Sequence, residues 1–175
     1  MLKLEDYIRE IPDFPVKGIL FRDITTLIQN GEAYHQAIEQ MAEQVRKIDN
    51  IDVIAAPEAR GFIFAAPVAY ALKLPLIPVR KPGKLPHKTV TFTYELEYGS
   101  DSLQVHADAI RPGLNVLLVD DLLATGGTIK ACKDLVEQEG GNVVGATFLM
   151  ELAGLKGRDK LKGIPVSTLI TYPGA

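Results

Sequence analysis

The run NVLLVDDLLATGGTIKA, residues 115–131, sets two carboxylates, Asp120 and Asp121, directly behind the apolar Val116, Leu117, Leu118 and Val119. Adjacent like charges at the end of a buried strand repel each other and lose hydration, so the pair calls for a partner that neutralises it. The small residues that follow, Ala124, Thr125, Gly126, Gly127 and Thr128, fall where a strand turns into a helix. Glycines let backbone amides converge, two hydroxyls add donors, and the amino end of the next helix adds positive dipole, which together cradle a phosphate. Carboxylates accept hydroxyl hydrogen bonds strongly, so acids beside such a cradle suit a ligand with a phosphate at one end and vicinal hydroxyls nearby. A ribose 5-phosphate has that shape. The blander alternative is a Gly-rich turn capped by Thr, with a strand-end acid capping the next helix.

Other phosphate loops fit less well. The mononucleotide pattern G-x-x-x-x-G-K-[ST] and the dinucleotide pattern G-x-G-x-x-G both require spacings that residues 124–128 lack. His35, His87 and His106 are scattered without metal-ligand spacing, and Cys132 has no catalytic partner nearby in sequence, so none is assigned chemistry.

The elements that must position these groups follow from composition and periodicity. A chain of 175 residues supports one well-buried core, so residues 1–175 are read as a single domain. The formal charge of −3 offers no global positive field for nucleic acid or an anionic membrane, and neither is expected as a partner. One cysteine forms no internal disulfide, and MLKLEDYIRE lacks the apolar stretch of a secretory signal, which together suggest a cytoplasmic protein. No segment approaches the roughly 20 apolar residues that span a bilayer.

Tyr34, Ile38, Met41, Val45 and Ile48 recur at helical spacing, predicting an amphipathic helix over residues 32–48. DVIAA reads as a strand, PEARGF as punctuation, IFAAPVAYALK as a buried helix despite Pro67, and PLIPVR as the next strand. Alternation in residues 88–110 predicts a hairpin, and its polar, Lys-rich approach marks residues 81–105 as a mobile flap. VLLVDD restarts the apolar pattern, a helix is predicted over 127–139, and NVVGATFLMEL and PVSTLIT supply further strands. Apolar strands alternating with helices imply an α/β fold whose parallel sheet is covered on both faces.

The two acids and ATGGT after an apolar run resemble the phosphoribosyl pyrophosphate signature of the type I phosphoribosyltransferases. DFPVKGILFRDIT, EARGFIFAAPVA, RKPGKLP, YELEYGSDSLQVHADAI and MELAGLKGRDKL follow one another as in the adenine-specific branch of that family, from about residue 7 to 172. The resemblance implies a parallel-sheet fold with a small amino-terminal hood over residues 1–30, a hairpin flap and a homodimer. It implies transfer of the phosphoribosyl group from phosphoribosyl pyrophosphate to adenine, giving AMP and pyrophosphate, with Mg²⁺ held mainly by the pyrophosphate and, among protein groups, by Asp120 or Asp121. Asp120 and Asp121 then hold the ribose hydroxyls and stabilise positive charge on the sugar, while residues 124–128 bind its phosphate. Arg60, with the backbone of Glu58 and Ala59, grips pyrophosphate, and a strained peptide between the latter two is expected. Arg80 and Lys84 add positive charge, in their own site or a neighbouring subunit's. Glu97 is the acid or base that approaches the purine, with Tyr98 beside it and Glu95 its positional rival. Main-chain groups of Leu20 and Arg22 read the adenine edge, and Phe21 packs on the ring.

Three rivals keep part of the pattern: a transferase for an oxopurine, xanthine or orotate; a non-enzymatic phosphoribosyl pyrophosphate sensor that binds nucleic acid; and a sugar-phosphate binding or synthase domain. Base preference separates the first, a basic surface the second, and absence of a purine reader the third.

Overall fold

The computed structural model describes residues 1–96 and 98–174. A short 3-10 turn leads into an antiparallel hairpin, β1 (Arg9–Pro12) and β2 (Leu20–Asp23), which pairs Ile11 with Phe21 and Glu10 with Arg22. Asp23 ends β2 and accepts the Thr25 N–H at 2.9 Å, opening α1 (Thr25–Gln29). Asn30 starts α2 (Gly31–Val45) by accepting the Ala33 N–H at 2.9 Å, which satisfies one of the helix's free amides. Then follow β3 (Val53–Pro57), α3 (Arg60–Leu72), β4 (Leu76–Val79), the hairpin β5 (Thr89–Glu95) and β6 (Ser100–His106), β7 (Asn115–Leu123), α4 (Gly127–Gln138), β8 (Asn142–Leu152) and β9 (Val166–Tyr172).

Five strands form one parallel sheet in the order β4-β3-β7-β8-β9. Every residue of β3 is buried, as a strand covered on both faces requires. Successive β7 residues divide between two cores. Leu117 and Val119 join α2 and α3, whereas Val116 and Leu118 join α4 and the β5–β6 hairpin. The chain moves from β3 through α3 to β4 on one side, and from β7 through α4 to β8 on the other. The order therefore reverses between β3 and β7, and a crevice opens beyond their carboxyl ends.

Several boundaries differ from the sequence expectation, and β7 runs through Asp120 and Asp121 to Leu123 instead of ending at the acids. Helix α3 begins at Arg60, inside the segment read as punctuation, and Ile48 lies beyond the end of α2 although it still packs on the same core. The β5–β6 hairpin is also more firmly rooted than a flap spanning residues 81–105 suggests. Leu103 and Val105 are fully buried, Arg80 and Gln104 form a backbone bridge, and Gln138 Nε2 donates to the Thr91 carbonyl at 3.3 Å. Alternation of Val90, Phe92 and Tyr94 turns one face of the hairpin onto α4's core, so only its turn end projects.

Pro67 sits within α3 without ending it. It lacks the N–H that would bond the Ile63 carbonyl one turn earlier. The Tyr34 hydroxyl of α2 donates to that carbonyl at 2.5 Å, and the Tyr34 ring meets Phe64 edge-on at 6.0 Å. A side chain thus replaces the missing helical bond. Tyr34→Phe should lower unfolding free energy by about 1 kcal/mol in urea titrations. In a Pro67→Ala background, where the helix supplies its own donor, the loss should shrink; an equal loss in both backgrounds refutes this pairing.

Candidate active site

A cavity of about 280 Å³ lies at the β3/β7 crevice, lined by Glu58, Ala59 and Arg60 from the β3-to-α3 turn and by Asp120, Asp121 and residues 124–128 from β7 onward. Thus the two acids, the pyrophosphate candidates and the small-residue loop, far apart in sequence, share one hollow. Leu122 and Ile129 also line it and were not singled out from sequence, because nothing in their type departs from core residues.

The partner that the carboxylates require is Arg60. Its Nε lies 3.0 Å from Asp121 Oδ2, and the Asp121 side chain is only 5% exposed. The guanidinium is not aligned for a hydrogen bond, however, and Oδ2 has no such partner among the described residues. Asp120 Oδ1 accepts the Asp121 N–H at 2.8 Å. Burial, and next the neighbouring Asp121 charge, hold the Asp120 carboxyl well above the ordinary carboxylate range, while Arg60 acts in the opposite direction. One arginine therefore leaves the pair under-neutralised. A β-carbon on Gly61 would come within 2.8 Å of Asp120 Oδ1, so glycine there is what lets the first turn of α3 close on the acid.

The loop is built by close backbone approach. Gly126 has φ +78°, and a β-carbon there would stand 2.7 Å from the Gly157 carbonyl oxygen. A β-carbon on Gly157 would in turn meet the Ala124 carbonyl oxygen at 2.3 Å. Any side chain at either glycine would drive the two segments apart. Helix α4 starts at Gly127, so its unbonded amides face the same hollow.

The peptide between Glu58 and Ala59 is cis. Glu58 Oε1 accepts the Lys81 N–H at 2.7 Å and stands 3.3 Å from Arg80 Nε, which places Arg80 beside its own chain's site. Lys81 pairs with Asp101, which stands opposite Tyr94 near the turn end of the hairpin. Burial alone would depress the Lys81 ammonium, but the Asp101 hydrogen bond and the charges of Tyr94, Asp101 and Glu58 together leave its pKa raised.

The β1–β2 hairpin brings Phe21 to the rim. The Arg60 guanidinium carbon lies 5.5 Å from the Phe21 ring centroid, so Phe21, Arg60 and Asp121 form one continuous line of contacts. The Arg22 side chain is engaged elsewhere, paired with Glu10 and stacked 3.9 Å over the Tyr172 ring. Leu20 is exposed beside it. Tyr98 is 89% exposed and Lys84 is exposed; neither lines the cavity. Glu97 lies outside the described residues, and Glu95 ends β5 in solvent.

His87 and His106 meet edge-on at 5.9 Å, away from the cavity, and among the described residues no cluster has the makings of a protein metal cage. Burial pushes the Cys132 thiol far up, which removes its nucleophilic form.

Comparison with known proteins agrees with this geometry. Residues 25–169 match the phosphoribosyl transferase domain family. The adenine phosphoribosyltransferase of Clostridium perfringens is 61% identical, covering 98% of this chain and 99% of its own. The crystal structure of the Thermoanaerobacter pseudethanolicus enzyme of that name superposes with a TM-score of 0.93 at 52% identity, covering 97% of this chain and 98% of its own. The Saccharomyces cerevisiae enzyme, solved with adenine and an imino-altritol bisphosphate, gives 0.85 at 41% identity over 94% of each chain. The chain accordingly belongs to the phosphoribosyltransferase family, in its adenine phosphoribosyltransferase branch.

Proposed function

We infer that the chain transfers the phosphoribosyl group of phosphoribosyl pyrophosphate to adenine, releasing pyrophosphate and AMP in purine salvage. The observation that carries this reading is the under-neutralised pair Asp120 and Asp121 in one cavity with Arg60 and the glycine loop. In the reaction, the bond from ribose C1 to the pyrophosphate oxygen breaks, adenine N9 bonds to C1, and the N9 proton departs. Positive charge grows on the sugar and negative charge on the leaving group, so acids on one side and a guanidinium on the other match the charges that develop.

Each residue takes a part set by its place. Asp120 and Asp121 accept the ribose hydroxyls, and residues 124–128 hold the 5-phosphate. Arg60 and the Glu58–Ala59 backbone hold pyrophosphate, with Arg80 adding charge through its position beside Glu58. Asp121 Oδ2, ion-paired with Arg60 but without a hydrogen-bond partner among the described residues, and the raised Asp120 carboxyl fit a hard divalent cation. Mg²⁺, when bound, supplies neutralisation of the pyrophosphate oxygens, with Asp120 or Asp121 as its protein contact.

The main chain of Leu20 and Arg22 reads adenine's amino group and adjoining ring nitrogen, and Phe21 packs on the ring. The adenine-bound yeast relative supports that choice of base. The β5–β6 hairpin serves as the flap over a site roofed by the hood of residues 1–30. Its buried root confines closure to the turn end, which carries Glu97 as acid or base, Tyr98 beside it, and Lys84 on the approach. A homodimer and a cytoplasmic setting complete the proposal; the wholly buried thiol of Cys132 suits a reducing compartment.

Offering adenine, hypoxanthine, xanthine and orotate with phosphoribosyl pyrophosphate should give AMP as the dominant product; faster turnover of hypoxanthine than adenine would reject the assigned base. Asp120→Asn should cut turnover by about a hundredfold or more. The same change should stabilise the unliganded protein at neutral pH. Because the folded pKa is raised, Asp120 favours folding only below its unfolded value near ~3.9, and that contribution is lost as pH rises through the folded pKa. The variant's advantage in thermal melts should therefore shrink as pH falls towards about 4; a variant less stable than its parent at neutral pH would contradict the repulsion.

A further inference from the structure

We propose that Lys160 is a phosphate-binding residue, supplying the cation that the glycine loop itself lacks. The inference rests on the reading of residues 124–128 as the 5-phosphate cradle. Lys160 stands on the 3-10 turn Gly157–Leu161, between β8 and β9, which backs the loop without lining the cavity.

Four observations converge. First, the cradle is made of Ala124, Thr125, Gly126, Gly127 and Thr128, none of them charged, although a phosphate monoester carries close to two negative charges at neutral pH. Amides and hydroxyls solvate such an ion, but a nearby ammonium adds an attraction that they cannot supply. Second, Lys160 Nζ lies 4.0 Å from the point where a β-carbon of Gly127 would stand, and Thr125 Oγ1 lies 3.9 Å from the same point. An ammonium and a hydroxyl therefore both stand beside a glycine that lines the cavity, the ammonium reaching it from outside the lining.

Third, the ammonium has no competing carboxylate among the described residues. The neighbouring lysines are each engaged: Lys130 with Asp134, Lys133 with Glu137 and Lys162 with Asp159. Among the described residues no carboxylate pairs with Lys160, and Asp159 beside it is turned to Lys162. Fourth, the turn that carries it is fixed in place. Arg158 clasps the buried Glu151 carboxylate through Nε at 2.8 and 2.9 Å and Nη2 at 2.8 Å, and donates from Nη1 to the Val166 carbonyl at 2.9 Å. The backbone of Gly157 rests directly against Gly126 and Ala124. Because the turn is already fixed, only the lysine's own rotamer freedom is lost when it reaches a phosphate.

Calorimetric titration with ribose 5-phosphate tests the assignment in the intact chain, alongside steady-state kinetics. Lys160→Gln, at an exposed position, should weaken ribose 5-phosphate binding about tenfold and raise KM for phosphoribosyl pyrophosphate similarly, with KM for adenine unchanged. Lys160→Arg should restore most of the affinity, and added salt should narrow the gap between parent and Gln variant. Unchanged ribose 5-phosphate affinity in a folded Lys160→Gln protein overturns the role of Lys160 while leaving the cradle intact. Failure of the parent protein to bind ribose 5-phosphate overturns the cradle and this inference together.

Discussion

Two acids held side by side against their own repulsion form the constraint on which the rest of the site depends. Asp120 and Asp121 sit at the carboxyl end of β7, where the strand order reverses, and the fold answers them with Arg60 from the opposite lip of the crevice. That answer is incomplete, since Asp121 Oδ2 keeps no hydrogen-bond partner among the described residues and Asp120 is driven towards its protonated form by burial and by its neighbour. Folding energy is thereby invested in an environment that positive charge relieves. A sugar that becomes cationic as its bond breaks provides such charge only in passing, so the stabilisation is concentrated where the reaction needs it.

The surrounding architecture serves this arrangement by bringing backbone close to backbone. Gly61 admits the first turn of α3 to Asp120, and the facing pair Gly126 and Gly157 lets two segments touch without side chains between them. The same economy appears in the core. Pro67 would cost α3 a hydrogen bond, and Tyr34 restores it from the neighbouring helix.

Much of this was legible in the sequence. The apolar runs and helical stripe gave the parallel sheet and its covering helices because burial on both faces leaves a strong compositional trace, and the DDLLATGGT stretch located the cavity. What escaped detection depended on tertiary approach. Gly61 and Gly157 read as ordinary small residues until their neighbours across space are known. Lys160 looked like one charge among several in KGRDKL, and Leu122 and Ile129 like simple core. The start of α3 was misplaced because PEARG carries turn-forming residues, yet the helix begins at Arg60 and so aims the guanidinium at Asp121. The extent of the hairpin's anchoring was likewise hidden: alternation signalled two strands without revealing that Leu103 and Val105 enter the core.

The contact between Gly157 and the turn after β7 has a bearing on how the protein comes into being. The backing of the loop belongs to a segment some thirty residues downstream of it, and Tyr172, in the last strand, stacks on the hairpin formed by the first. A nascent polypeptide that has already built β3, α3 and β7 still lacks the brace beneath its anion loop. The loop is therefore backed only once the segment after β8 has been added, and a chain ending before Gly157 lacks that backbone contact.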